Sequence, residues 1–199
     1  DVPLREFSQA HLRGHPVLGV VMRRIDAMRA LAQQYKESGD EEEVAGAYRF
    51  AALGAAEVRG ARADLSKLKP LAREVLFFLL DHGRVERDVI LETFWPHHPP
   101  GRQVANLHTA IYSLRRLLGK DLILHDGVAY SINPEMKAEY DVERFERAAA
   151  IAEGLPLGDP RRMFALTEAV NTYGGRFLPE FASDWVLERR RQLEMRYLD

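Results

Sequence analysis

The chain has no cysteine in its 199 residues. This excludes a disulfide framework and any cysteine-based zinc site. It also lacks a run of about 18 or more uncharged apolar residues, so no segment reads as a membrane-crossing helix. The opening stretch, DVPLREFSQAHLRGHP, has no apolar core of the signal-peptide kind. A cytoplasmic location and no membrane partner are the expectations. There is no initiator methionine, so the chain is expected to be a piece of a longer protein. The phosphate-cradling GxxxxGK, the GxSxG elbow and the HExxH metal pair are all missing. His97, His98, His108 and His125 therefore have neither a cysteine nor an HExxH partner with which to hold a metal. No enzyme activity, no metal and no cofactor are expected.

Charge is nearly balanced, with 28 basic and 30 acidic residues and a net charge of −2. A wholly basic nucleic-acid protein is excluded, but distribution matters more than the total. From Arg102 to Lys120 the cations are Arg102, Arg115, Arg116 and Lys120, with no Asp or Glu among them. Acids gather elsewhere, at Asp40 to Glu43 and along the last helices. A local basic face on a near-neutral chain suits a module that touches phosphates at one place.

Val17 to Lys36 reads as a helix, because Leu18, Val21, Ile25, Met28, Ala32 and Tyr35 recur at alternating steps of three and four. That seam either packs on its own domain or pairs with another copy of the chain. Ser38-Gly39-Asp40 stops the helix, and Glu41 to Glu43 suit the start of another short turn. Tyr48 to Leu68 is Ala-rich enough for helix, but Gly54 and Gly60 interrupt it. Val58-Arg59-Gly60-Ala61-Arg62 looks like a hairpin turn, so short strands leading into Lys69-Pro70 are expected.

Pro70 suits the first turn of a helix, and Gly83 its stop. Between them Leu71, Val75, Leu76, Leu79 and Leu80 share one side, and Phe77 and Phe78 widen it to two buried sides. A short helix follows from Arg87 to Phe94, with Val89, Ile90 and Phe94 inward and Trp95 as core. Pro96, Pro99, Pro100 and Gly101 keep the next stretch out of helix. From Gln103 to Leu118, at about 100° per residue, Val104, Leu107, Ala110, Ile111, Leu114 and Leu118 fall on one face. The opposite face carries Arg102, Ala105, Asn106, Thr109, Tyr112, Ser113 and Arg116. These amides, hydroxyls and cations are the groups that bond base edges and phosphates. Arg115 lies nearer the core edge, where a structural salt bridge competes with a phosphate contact. Leu122 to Leu124 and Val128 to Ile132 flank His125-Asp126-Gly127, a hairpin signal. Helix, turn, basic helix and hairpin in this order is the winged helix-turn-helix, whose second helix enters the DNA major groove.

From Tyr140 on, helices recur with short loops. Asp141 is expected to cap VERFERAAAIAEG, Asp159-Pro160 opens RRMFALTEAVNTYGG, and Ser183-Asp184 starts WVLERRRQLEMRYL. Ala148, Ala149, Ala152, Ala165 and Ala169 are expected to meet Phe145, Phe164, Tyr173 and Trp185, as in tetratricopeptide-like hairpins. The Glu and Arg residues of these helices read as solvated faces. The fold class is mainly α with a small β-sheet, a winged helix-turn-helix followed by tetratricopeptide-like helical hairpins.

The leading strands with Leu53-Gly54, then LAREVLFFLLDHGRVERDVILETFWP, ANLHTAIYSLRRLL and the wing to Tyr130, come in a familiar order, followed by EYDVERFERAAA, YGGRFLPEF and DWVLERRRQLEMRYL. Over about Tyr48 to Asp199 the chain resembles bacterial transcriptional activators of the antibiotic-regulatory-protein type. In that family a winged helix of the response-regulator class precedes a bacterial transcriptional activator domain. The resemblance implies strands within Tyr48–Leu68, a recognition helix at Gln103–Leu118, and a loop at Pro96–Gly101 that faces RNA polymerase through His97 and His98. The chain departs from the family at those histidines, where acids are commoner, and at Ala129-Tyr130, where Gly-Tyr is usual. The resemblance further implies an N-terminal linker or the end of an upstream sensor, ATPase or repeat domain at 1–46. The winged helix would then span 47–137, and a truncated activator domain would start at 138–199.

The residues expected to touch double-stranded DNA are Arg102, Asn106, Thr109, Tyr112, Ser113, Arg115, Arg116, Lys120 and His125. Asp126 would be repelled by phosphate and is expected to serve its turn. A homodimer or tandem copies would raise affinity through effective concentration. Two other classes stay open: a protein-interaction module built on the winged helix and helical repeats, and a helical sensor that binds a small ligand.

Overall fold

In the computed structural model, which describes residues 48–59 and 64–198, the chain begins with a short antiparallel hairpin. The expectations for 17–36, 38–43 and 60–62 lie outside the described residues. Strand β1 (Arg49–Ala51) pairs with β2 (Glu57–Arg59), placing Phe50 opposite Val58. Val58 and Arg59 are therefore strand, not turn, and between β1 and β2 the chain reverses across Leu53-Gly54. The cause lies at the far end of the chain. Leu178 N–H donates to the Ala52 carbonyl at 2.8 Å, and Gly54 N–H donates to Arg176 at 3.1 Å. A Cβ on Gly174 would sit 2.8 Å from the Leu53 carbonyl oxygen, so only glycine admits this approach.

Helix α1 (Pro70–His82) has Pro at its start and ends at Gly83, whose φ of 70° suits glycine. Val75, Leu76, Phe77 and Leu79 are fully buried, so the helix is covered on two sides as expected, although Leu71 is exposed. Strand β3 (Val85–Glu86) leads into α2 (Arg87–Phe94). Here Ile90 and Leu91 turn inward and Val89 is 47 % exposed, against expectation. In a helix of about two turns, three consecutive apolar residues cannot all face the core. Helix α3 (Pro100–Leu118) starts before the expected Gln103. Pro100 occupies the first helical position, where its missing N–H is no loss and its φ is already helical.

Strands β4 (Ile123–His125) and β5 (Ala129–Ile132) form the wing hairpin, and β3 joins it in the order β3-β5-β4. Strand β6 (Glu139–Tyr140) then pairs in parallel with β1. The two-residue strands β3 and β6 were not foreseen. Helices α4 (Asp141–Glu153) and α5 (Pro160–Thr172) form an antiparallel hairpin. Arg144 in the first turn of α4 meets Glu168 late in α5 at 2.6 Å, and Phe145 packs on Tyr173. Buried alanines on both helices let the axes approach. Asp141 does not cap α4: Tyr140 holds the cap position, and the Asp141 carboxylate accepts from Ala52 and Leu53 N–H at 2.9 Å. Phe164, expected to pack, is 67 % exposed because α5 presents its Ala165–Ala169 side to α4.

Helix α6 (Asp184–Leu198) lies against α1. Its charged residues are not all solvated. Arg190 is buried and donates to the carbonyls of Phe177, Leu178 and Phe181 at 2.7 to 3.0 Å. Glu74 on α1 is buried and accepts from Ser183 Oγ and, at 2.8 Å, from Trp185 Nε1. Arg189 bridges Asp81 at 3.0 Å and Glu146 at 2.9 Å, tying α6 to α1 and α4. One continuous apolar core runs from Phe50 through α1 and α3 to Leu193. Each fully buried Leu or Phe in it contributes roughly 1.5–3 kcal/mol. The architecture is mainly α with two small sheets, a winged helix-turn-helix followed by tetratricopeptide-like helices.

Candidate nucleic-acid interface

Helix α3 divides as its periodicity predicts. Leu107, Ala110, Ile111, Leu114 and Leu118 are buried, and Val104 is half-buried. On the other side Arg102, Ala105, Thr109, Tyr112 and Arg116 are exposed, while Asn106 and Ser113 are half-buried. Tyr112 is 66 % exposed, so its ring stands out from the helix. Lys120 follows just beyond the helix end and is exposed. Thr109 and Ser113 currently donate back along the helix, to Ala105 and Thr109 carbonyls at 2.8 and 2.9 Å. A hydroxyl rotor can turn from there toward an incoming acceptor.

The electrostatics of this face are distinctive. Several exposed arginines elsewhere are paired with carboxylates: Arg49 with Glu139, Arg144 with Glu168, Arg161 with Asp159, Arg176 with Glu194. Arg102, Arg116 and Lys120 have no carboxylate partner among the described residues. Their charges are available to an anion. Beside them a cavity of about 190 Å³ opens between the start of α1 and α3. Lys69, Trp95, Asn106, Thr109 and Ser113 line it. Lys69 stands directly before the helix-starting Pro70 and was not among the expected contacts.

Arg115 does not join the outward set. It is half-buried, and its Nε and Nη2 donate to the Ile123 carbonyl in β4 at 3.2 and 2.7 Å. In place of the salt bridge weighed for it, Arg115 makes a backbone hydrogen bond, and it forms no ion pair among the described residues. In the wing, His125 is exposed and stacks on Tyr130 with centroids 4.3 Å apart. Asp126 serves its turn as expected. It accepts from Val128 and Ala129 N–H at 3.0 and 2.8 Å, and from Arg84 at 2.8 Å. Those two amides, with Arg84, hold its carboxyl well below the usual carboxylate range.

In the loop before α3, His97 is exposed and His98 half-buried. The loop is anchored at its start, where the Trp95 carbonyl accepts from His98 N–H at 3.1 Å and Gln103 Nε2 at 2.7 Å. Among the described residues, no group of three or more His, Cys, Asp or Glu is placed to hold a metal, and no helix is long and apolar enough to cross a membrane.

No family model matches the chain. Over 111 residues, 55 % of the chain, it is 32 % identical to the regulatory protein AfsR of Streptomyces griseus. It spans only 11 % of the length of that relative. Its structure superposes on that of Mycobacterium tuberculosis EmbR, solved in complex with a low affinity phosphopeptide, with a TM-score of 0.62 at 21 % identity. That match covers 76 % of this chain and 42 % of EmbR, and it establishes a shared fold. In sequence and in fold the chain resembles bacterial transcriptional regulators of the antibiotic-regulatory-protein type.

Proposed function

We propose that the chain is a sequence-specific DNA-binding transcriptional regulator, of the activating kind, that reads the major groove with α3. The observation that carries this is the acid-free outward face of α3, where Arg102 and Arg116 stand without carboxylate partners. A solvated helix face normally mixes both signs. Arg116, near the centre of the face, is assigned to a guanine edge or a phosphate, and Asn106, Thr109 and Tyr112 to bases and sugars. Lys120 and the wing around His125 hold the flanking backbone, with Lys69 and Ser113 at the groove beside α1. The winged helix at 47–137 does the reading, and the helices of 138–199 begin the activator domain. The loop bearing His97 and His98 is assigned to a contact with RNA polymerase. A lone module makes few phosphate contacts, so two copies on adjacent sites would raise affinity.

Selection against a randomised duplex pool at moderate salt tests this, with Arg116→Ala alongside. Enrichment of one repeated motif, lost in the variant, is the expected result. No enrichment by the native chain would sink the proposal and move the weight to a protein-interaction module, whose partner binding competitor DNA would not disturb.

A further inference from the structure

We propose that Arg115 and Arg84 are positioning residues that set the wing against α3, and that neither is a DNA contact. This rests on the DNA-reading function above. Strand β4 is an edge of the sheet, and Arg115 is the side chain that reaches it from α3. Two guanidinium N–H groups converge on one carbonyl, Ile123, whose own side chain is fully buried beneath. A swing of Arg115 toward DNA would break both bonds.

The turn is held from the opposite side. Arg84 precedes β3, the other edge strand, and its Nε and Nη2 grip one Asp126 oxygen at 2.9 and 2.8 Å. The second Asp126 oxygen fixes the Val128 and Ala129 amides. Arg87 N–H adds a bond to the Val128 carbonyl at 2.9 Å. Arg84 and Asp126 cancel each other's charge, so the pair offers a phosphate little attraction. Helix and wing must meet one duplex together; Arg115 fixes the β4 edge and Arg84 the β4–β5 turn.

The test separates grip from charge. In Arg115→Gln the side-chain amide nitrogen falls about where Arg115 Nε lies, 3.2 Å from the Ile123 oxygen. The longer of the two bonds stays, while the Nη2 bond and the charge go. Arg115→Met removes both bonds and the charge. Affinity for a duplex enriched by the native chain is measured across salt concentrations, with hydroxyl-radical footprints of each complex. Amide exchange of β4 and β5 is followed in the free proteins. Arg115→Gln is expected to bind within about twofold of the native chain with an unchanged salt slope, while Arg115→Met weakens about fivefold to tenfold. Arg115→Met should lose protection on the wing flank alone, and its wing amides should exchange faster without DNA. Asp126→Asn, which keeps an oxygen for the turn but breaks the ion pair, should weaken the same flank.

Equal losses in Arg115→Gln and Arg115→Met, with the salt slope reduced by about one phosphate, would make Arg115 a direct contact and overturn the assignment. Unchanged wing exchange in Arg115→Met would overturn it too. A native chain that enriches no duplex would instead defeat the DNA reading on which it rests. Circular dichroism of both variants distinguishes a moved wing from a lost fold.

Discussion

Arg189→Met probes the joint between the winged helix and the helices that follow it. Met keeps much of the apolar stem and removes the guanidinium that bridges Asp81 and Glu146. The Asp81 side chain is only 5 % exposed, so its charge would be left buried without a cationic partner from α6. Breaking a buried pair on one side costs about 3 kcal/mol or more. For a unit of this size that is a drop of roughly 6–12 °C in melting temperature. The loss should depend on pH, and its sign follows from linkage. Burial already raises the Asp81 carboxyl above its ordinary value, against the pull of Arg189. Without Arg189 it rises further, so the folded variant binds a proton more readily than the unfolded chain does. The variant therefore regains stability as pH falls through that raised value toward the ordinary 3.8. Melting followed by circular dichroism at pH 8 and pH 5 should show a deficit that shrinks on acidification. A variant that melts with the native chain at pH 8, or whose deficit is the same at both pH values, would refute the reasoning.

The two faces of α3 should respond oppositely to truncation. Leu114→Ala, in a fully buried position, is expected to cost 2–5 kcal/mol in urea unfolding. Tyr112→Ala should stay within about 0.5 kcal/mol of the native chain yet weaken DNA binding; a large stability loss would mean that the ring is core. The Asp126 carboxyl lies below its ordinary value, so the turn it holds is fully stabilised above pH 3.8 and released only as pH falls through the depressed folded value. Amide shifts of Val128 and Ala129 followed against pH should show that late midpoint, and a midpoint at the ordinary value would contradict the turn geometry.

Much of the fold was legible because it is punctuated locally. Pro70 and Gly83 bracket α1, Asp159-Pro160 opens α5, and Asp126-Gly127 turns the wing. The two faces of α3 were legible because 3.6-residue periodicity sorts the residues from Gln103 to Leu118 cleanly. The two-turn helix α2 is too short for that sorting, and Val89 and Leu91 exchanged places. The Leu53-Gly54 turn was hidden because Arg176, Leu178 and Asp141 hold it from the other end of the chain. Buried Glu74 and Arg190 look like surface charge in a sequence, since only their partners reveal the burial. Arg115 and Arg116 are alike as letters; one helical step of about 100° turns the first onto the wing and the second outward.

Salt dependence measures whether the unpaired cations of α3 meet phosphates. If Arg102, Arg116 and Lys120 each neutralise one phosphate, log affinity for the enriched duplex should fall against log salt with a slope of about −2.7 or steeper. Arg116→Ala should weaken binding, with the slope lowered by about one if the contact is a phosphate. Arg191→Ala, which removes an arginine already paired with Glu188, should change neither. A slope near zero in the native chain, or equal effects of Arg116→Ala and Arg191→Ala, would contradict the account.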